Sequence, residues 1–500
     1  MNEISFGALG GILPEILLLT GGLLILILDM AQGRRQDSGR GFMAVSVLFL
    51  IVALVGVVLQ LEMEPYVALA MVDIDPFATF LKVVIYTGMV LVAVGGGAYM
   101  NKHAAGRGEF WTLFMFVTLA MSLAVSANNL LLLFLSIEFL SITSYVLAGI
   151  MRENRRSAEA GVKYFIYGSV ASAIMLYGMS LLYGATGSLN LREIGEVLAT
   201  QTDMHNIILP AALLALVGFG FKASLAPFYQ WAPDTYDGAP TPITAYLSTA
   251  SKAVGFAVMA RTLIVALGAY RVDWVPLLAG LSILTMTLGN LIALRQSSVK
   301  RMLAYSSVAQ AGYILMGLTA VVGSDLVDVN ALGMNGLNGL LLYLLAYLFT
   351  NIGAFMVILA VEETTGSTEL SAFGNLVQKS PGLAWGMFIF LLSLTGIPLT
   401  GGFVGKFYVF GAAIQHQYFW LAGIGLINAG IAAFYYLDVV RTMFFDDRGE
   451  DAVLVRLSVP IAVQTIVFIC VGATIWLGLY PAGIINWAND ASRQLLGLML

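Results

Sequence analysis

About fourteen stretches of roughly 20 predominantly apolar residues recur along this 500-residue chain, and each is long enough to cross the hydrocarbon core of a bilayer as a helix. They lie near 11–31, 42–61, 77–99, 110–127, 129–150, 162–184, 207–226, 242–267, 274–294, 301–322, 334–361, 383–416, 418–445 and 458–480. Inside lipid every backbone N–H and C=O must be satisfied within the protein, so runs of this length dictate helices. The fold class is therefore an all-α polytopic membrane protein. Composition agrees: 59% of residues are hydrophobic and 11% charged, a balance no soluble domain of this size keeps in water.

Charge placement sets the orientation. Lys and Arg cluster in alternate loops (Arg34, Arg35 and Arg40; Lys102 and Arg107; Arg152, Arg155 and Arg156; Arg295, Lys300 and Arg301), which the positive-inside rule assigns to the cytoplasm. Intervening loops carry acids, such as Glu62, Glu64, Asp73 and Asp75, or Asp325 and Asp328. Both termini then lie outside, in the periplasm of a bacterial cell. The loop with Asp234 and Asp237 departs from the bias. Met-Asn-Glu-Ile lacks a basic leader, so the first span reads as a retained helix. The single Cys470 excludes an intramolecular disulfide and reads as a small buried hydrophobe.

An internal repeat is visible. Gly184-Ala185-Thr186-Gly187-Ser188 closes the sixth span and Glu363-Thr364-Thr365-Gly366-Ser367 the eleventh; a shift of 179 residues also lays Tyr164 on Tyr343. Widened by five, the shift lays Lys222 on Lys406. Five spans then repeat as five, and an odd number of crossings inverts the second copy, as in transporters whose sites sit where discontinuous helices meet. Two such breaks are predicted, at Phe219–Pro227 and at Thr395–Lys406, because Pro227, Pro398 and a cluster of glycines cannot continue a helix. The expected segments are 1–105, three spans; 106–270, first repeat, broken near 222–227; 271–447, second repeat, broken near 396–406; and 448–500, a last helix and tail.

Charges inside such spans cost on the order of 2.5–3.5 kcal/mol each and mark ion or proton paths. Glu138 lies about ten residues into its span, roughly 15 Å from either face. Its bland alternative is a protonated carboxyl bonded to Ser136, Ser141 or Thr143. Lys252 is as deep, flanked by Ser248, Thr249 and Ser251, while Lys222 and Lys406 stand at the breaks. A lysine whose distance from a carboxylate changes binds and releases a proton, so Glu138 with Lys222 forms a proton switch and Lys252 and Lys406 relay stations. Lys163 stands where an entry site would, or an interfacial anchor. Asp438, placed near mid-span, is a candidate exit or a partner of Arg441. Tyr305, Ser306, Ser307 and Gln310 form a polar stretch that faces this interior or braces helices.

Other chemistries find no support. Gly401–Lys406 has the wrong spacing for a phosphate loop, and Phe407 stands where a hydroxyl is needed. His103, His205 and His416 have no ligand spacing, which argues against haem or a structural metal. The basic loops lack the interleaved aromatics of a nucleic-acid surface.

Leu13-Pro14-Glu15, Ser136-Ile137-Glu138-Phe139-Leu140-Ser141, Lys222-Ala223-Ser224-Leu225-Ala226-Pro227-Phe228, Trp231–Tyr236, Gly238–Pro242, Ser251-Lys252-Ala253 and Lys300–Ser307 together resemble the antiporter-like membrane subunits of respiratory complex I, most closely the N type. The resemblance extends over most of the chain and reaches Mrp-type Na⁺/H⁺ antiporter subunits. It implies about fourteen helices in two inverted five-helix units, with Glu138 as carboxylate partner, Lys222 as switch, Lys252 as central relay and Lys406 on the exit side. Lysine at 406 fits the N or L type, the M type having glutamate; Asp438 departs from the pattern, which often has a basic residue there. It also implies no cofactor in this chain, with NADH, FMN, iron–sulfur clusters and quinone in partner subunits. Those partners would be the M, K and J subunits and the lateral helix of L, amid membrane lipids, without nucleic acid. The expected function is proton translocation within NADH:quinone oxidoreductase. The alternatives are a subunit of a multisubunit Na⁺/H⁺ antiporter and a non-transporting scaffold whose charges only brace helices.

Overall fold

The computed structural model describes residues 10–32, 38–104, 106–201, 204–321, 333–445 and 457–497. Arg34, Arg35, Asp325 and Asp328 lie outside them. Twelve helices among the described residues are long and apolar enough to cross a membrane. They open with α1 (Leu13–Gln32) and α2 (Ser38–Leu59), which lead to a short hairpin, β1 (Tyr66–Ala68) and β2 (Val72–Ile74). The hairpin is a short two-stranded element in an otherwise helical fold. Asp75 then caps α3 (Pro76–His103): its carboxylate accepts from Ala78 N at 2.7 Å, and Pro76 sits in the first turn, where its missing N–H costs nothing.

The helices α4 (Arg107–Ser126), α5 (Leu130–Ala148) and α6 (Arg155–Thr186) follow. Asn129 and Asn154 cap α5 and α6, and α6 stops at Gly187, whose φ of 72° only glycine adopts cheaply. After an amphipathic α7 (Leu191–Thr200), α8 (His205–Ala223) ends at the first predicted break, where Ser224 takes a left-handed conformation. The chain resumes as α9 (Trp231–Gly238), then α10 (Thr241–Ser248) and α11 (Ala250–Arg261). The span expected as one helix over 242–267 is thus interrupted at Thr249 (φ −120°, ψ −84°), one turn before Lys252. No proline or glycine marks this kink, which is why the sequence did not show it.

The second half runs α12 (Arg271–Ala293), α13 (Val299–Thr319) and α14 (Leu337–Thr365), then a short α15 (Leu376–Lys379). The second predicted break separates α16 (Pro381–Thr395) from α17 (Gly401–Gln415); Gly396 closes α16 at φ 93° and Pro398 follows. The chain ends with α18 (Phe419–Phe445), α19 (Ile461–Leu479) and α20 (Ala482–Leu496). The last is amphipathic, where only a tail was expected. At the centre stands α14, buried from Leu337 to Leu348 and from Thr350 to Val361, against α3, α10, α13, α16, α17 and α19. Cys470 is fully buried on α19.

Local geometry recurs between the halves. Leu130 N bonds Leu189 O and Leu191 N bonds Asn128 O; correspondingly, Val299 N bonds Thr368 O and Leu370 N bonds Ser297 O, all at 2.8–2.9 Å. Gly187 and Gly366 cap α6 and α14 in the same left-handed conformation (φ 72° and 70°). The first pairing lies at the end of the bundle that carries Asp73, the second at the end that carries Asp237 and Lys300.

Buried charges hold this frame. Arg261 Nη1 bonds Asp73 and Asp75 at 2.7 and 2.8 Å, and Nη2 bonds Asp75 at 3.1 Å, pinning α11 to the hairpin; Asn128 adds a bond to Asp73. Asp73 and Asp75, read from sequence as loop charges, are 2% and 6% exposed and are structural. Glu15 on α1 pairs with Lys82 on α3 at 2.7 Å and accepts from Ser122 at 2.5 Å, with Tyr86 behind. At the opposite end Lys300 bonds Ala239 O at 2.8 Å and lies 3.7 Å from Glu362.

Candidate functional site

Three lysines occupy the interior without a carboxylate. Lys222, Lys252 and Lys406 are 2%, 0% and 7% exposed, and none forms an ion pair among the described residues. Lys222, in the last turn of α8, donates to Ser141 Oγ at 3.2 Å and Tyr164 OH at 3.3 Å. The Tyr164 ring stacks on Trp231 at 4.1 Å, and Trp231 Nε1 bonds Phe221 O, so the break itself fixes the phenol. Glu138 lies one turn from Ser141 on α5. It is half-buried, and its carboxylate accepts from Ser172 on α6 instead of from Ser136, Ser141 or Thr143.

Lys252, just past the Thr249 kink, donates to Ser307 O at 2.5 Å and Ser307 Oγ at 2.7 Å. Three phenols are fully buried in the same half: Tyr164 at Lys222, Tyr236, which donates to Leu247 O at 3.2 Å, and Tyr246, which donates to Ser144 at 2.8 Å. One residue from Ser307, Ser306 bonds Tyr436, to which Gln310 donates at 3.1 Å; Gln310 also donates to Leu394 O at 3.0 Å and accepts from Tyr343. Lys406 shares that carbonyl, donating to Leu394 O at 2.8 Å and Thr395 O at 2.9 Å. These are carbonyls released where α16 ends, the negative pole of a half-helix, and they hold a lysine that has no counter-ion.

Several expectations change. Lys222 and Lys406 do not coincide in the repeat: the first precedes its break on α8, the second follows its break on α17. Tyr164 and Tyr343, which the shift of 179 superposes, are each hydrogen-bonded to a buried polar side chain, Lys222 and Gln310 respectively. Tyr305 is half-buried on α13, whereas Ser306, Ser307 and Gln310 are buried and hydrogen-bonded within the file. Lys163 sits in a cleft of about 240 Å³, 2.8 Å from Glu159 and 2.7 Å from Asp234, which also meets Arg301 at 2.8 Å. Asp234 and Asp237 thus belong to the basic-loop end, neutralising its cations, which accounts for their departure from the charge bias. Asp438 is exposed, about two turns from the end of α18 at that same face, and not at mid-span; it makes no ion pair with Arg441. It lies at the end of the bundle where Lys163 opens.

Asn290 and Tyr313, which the sequence reading passed over, extend the file: Lys406 Nζ lies 4.7 Å from the centre of the Tyr313 ring, and Asn290 donates to Tyr313 OH at 3.1 Å. Their signal was an amide and a phenol in apolar spans, a pattern that packing contacts share. No group of three or more His, Cys, Asp or Glu among the described residues could hold a metal ion. The arrangement places protonatable side chains in hydrogen-bonded series.

Comparisons with known proteins agree with this geometry. Residues 127–432 match the family described as NADH:quinone oxidoreductase/Mrp antiporter, transmembrane. The NADH-quinone oxidoreductase subunit N of Trichlorobacter lovleyi is 39% identical over 424 residues, 84% of each chain. A chain of respiratory complex I from Thermus thermophilus with bound aureothin superposes with a TM-score of 0.78 at 29% identity, over 95% of this chain and 98% of that one. A chain of the Mrp complex from Dietzia sp. shares the fold, with a TM-score of 0.84 at 20% identity and 98% of each chain covered. The chain therefore belongs to the NADH:quinone oxidoreductase/Mrp antiporter family of transmembrane proteins.

Proposed function

We propose that this chain is the N-type antiporter-like subunit in the membrane arm of an NADH:quinone oxidoreductase and that it moves protons along a Glu138–Lys222–Lys252–Lys406 relay. One observation carries the reading. Of the buried cations that hold the frame, Lys82 and Arg261 each meet a carboxylate within 3 Å and Lys300 lies 3.7 Å from one, whereas Lys222, Lys252 and Lys406 form no ion pair among the described residues and meet only hydroxyls and carbonyls. A charge that only braces a fold is neutralised, because an unpaired buried charge costs several kcal/mol. A lysine with neutral partners can instead lose its proton and stay solvated by the same groups.

On this reading Glu138 favours the protonated form of Lys222 when it is near and weakens that preference when it withdraws. Lys222 hands its proton past the phenols to Lys252, and the Ser306–Tyr436–Gln310 bonds carry it toward Lys406. Lys163, beside Asp234, serves as the entry. The two halves act as inverted units, a reading supported by the backbone pairing that recurs at opposite ends of the bundle. Both termini face the periplasm, and the adjoining M, K and J subunits and the lateral helix of L contact the surface. NADH, FMN, iron–sulfur clusters and quinone belong to partners, whose redox work drives the relay.

Vesicles holding the purified complex test this against the antiporter alternative. NADH oxidation should acidify their lumen when the basic-loop face is outward, independently of Na⁺. Copurification with antiporter subunits, or proton movement driven only by a Na⁺ gradient, would contradict it.

A further inference from the structure

From the geometry we infer that Lys406 has its own polar route to the basic-loop face, ending at Asp438, so that the second half of the chain takes up protons from the side on which Lys163 opens. This rests on the relay proposed above and adds a path to it. The route is built from α12, α13 and α18. Tyr313 lies under the Lys406 ammonium, Asn290 donates to the Tyr313 hydroxyl, and the Tyr435 hydroxyl donates to Asn290 Oδ1 at 2.9 Å. Asn428 completes the amide with a bond at 3.2 Å, so both ends of Asn290 are held and both phenols are fixed in direction.

Tyr435 and Asp438, three apart on α18, then line one cleft of about 260 Å³, with Gln296, Ser297 and Ser298 from the basic loop on its other wall. Ser298 of that loop also donates to Asp237, which lines a second, polar cleft with Lys300. Asp438 has no ion pair or hydrogen bond to another described residue, although Arg441 lies one turn away. An unpaired carboxylate beside Phe434 and Leu437, which are 73% and 54% exposed, is costly in a membrane unless it faces water, and the cleft supplies that face.

The chemistry is one proton transfer. The Asp438 carboxylate takes a proton from the aqueous phase; water held by the Tyr435 and Tyr313 hydroxyls passes it inward; the neutral Lys406 amine becomes ammonium and Asp438 returns to carboxylate. Asn290 is a positioning residue that aims the two phenols and does not itself carry the proton.

Two measurements on the assembled complex test the route. In an Asp438→Cys variant a membrane-impermeant maleimide should label residue 438 in inverted vesicles and leave it unlabelled in sealed spheroplasts; the native Cys470 is buried, so label on this chain reports the new thiol. Labelling from the opposite face, or none from either, would overturn the route while leaving the Glu138–Lys252 relay untouched. Separately, Asp438→Asn should slow NADH-driven proton uptake about tenfold, a proton-transfer group being worth roughly 10² in rate, and Asp438→Glu should restore it. Unchanged uptake in Asp438→Asn, or failure of the glutamate to rescue, would equally reject it.

Discussion

Lys222→Met is expected to leave the complex assembled and to slow both proton translocation and coupled quinone reduction about tenfold or more, since 1.36 kcal/mol on a barrier is already a factor of ten. Methionine keeps most of the side-chain volume and the apolar stem while removing the proton site. The hydroxyls of Ser141 and Tyr164 lose a shared donor, a change each can absorb: Ser141 can turn to a backbone carbonyl of α5, and Tyr164 stays stacked on Trp231. Folding is little disturbed because no carboxylate is stranded. Assembly with undiminished pumping would favour the scaffold reading. Blue-native electrophoresis, NADH:quinone activity and vesicle acidification report the three quantities separately.

Arg261→Ala is expected to do the reverse, costing about 3–5 kcal/mol of stability and depleting assembled complex, because removing one partner of a buried pair strands the other. Asp73 and Asp75 would keep their charges at 2% and 6% exposure with only Asn128, a distant Arg192 and the α3 cap as partners. The hairpin and the end of α11 would separate. Subunit abundance after solubilisation, and its loss on mild heating, measure this; the variant protein that does assemble should pump at a normal yield per NADH. A complex as abundant and heat-stable as the unaltered one would show the clamp to be dispensable.

The membrane class, the spans and the two proline-marked breaks were legible because each follows from a local rule: length of apolar run, a missing N–H, a glycine at positive φ. The depth of Lys222, Lys252 and Lys406 was legible for the same reason. What escaped depended on direction or on distant pairing. Tyr305 and Ser306 are adjacent on α13, yet only Ser306 is buried. Asp73 reads as a solvated loop acid until Arg261, 188 residues away, is brought to it. Asp438 lies about two turns from the end of a helix whose bounds the sequence placed well, 418–445 against Phe419–Phe445, but its packing against the turn of Gln296, Ser297 and Ser298 depends on a distant part of the chain. The kink at Thr249 carries no proline or glycine and is imposed by packing.

The account stands on the difference between cations that are paired and cations that are not. The direct measurement is protons translocated per NADH oxidised, in vesicles holding assembled complex with Lys252→Met, beside the amount of complex recovered with Lys82→Met. Lys252→Met should be recovered at near-normal abundance with a sharply lowered proton yield, while Lys82→Met, which leaves Glu15 buried and unpaired, should be recovered poorly. A normal proton yield from Lys252→Met, or its loss from the membrane together with Lys82→Met, would contradict the assignment of the unpaired lysines to proton transport.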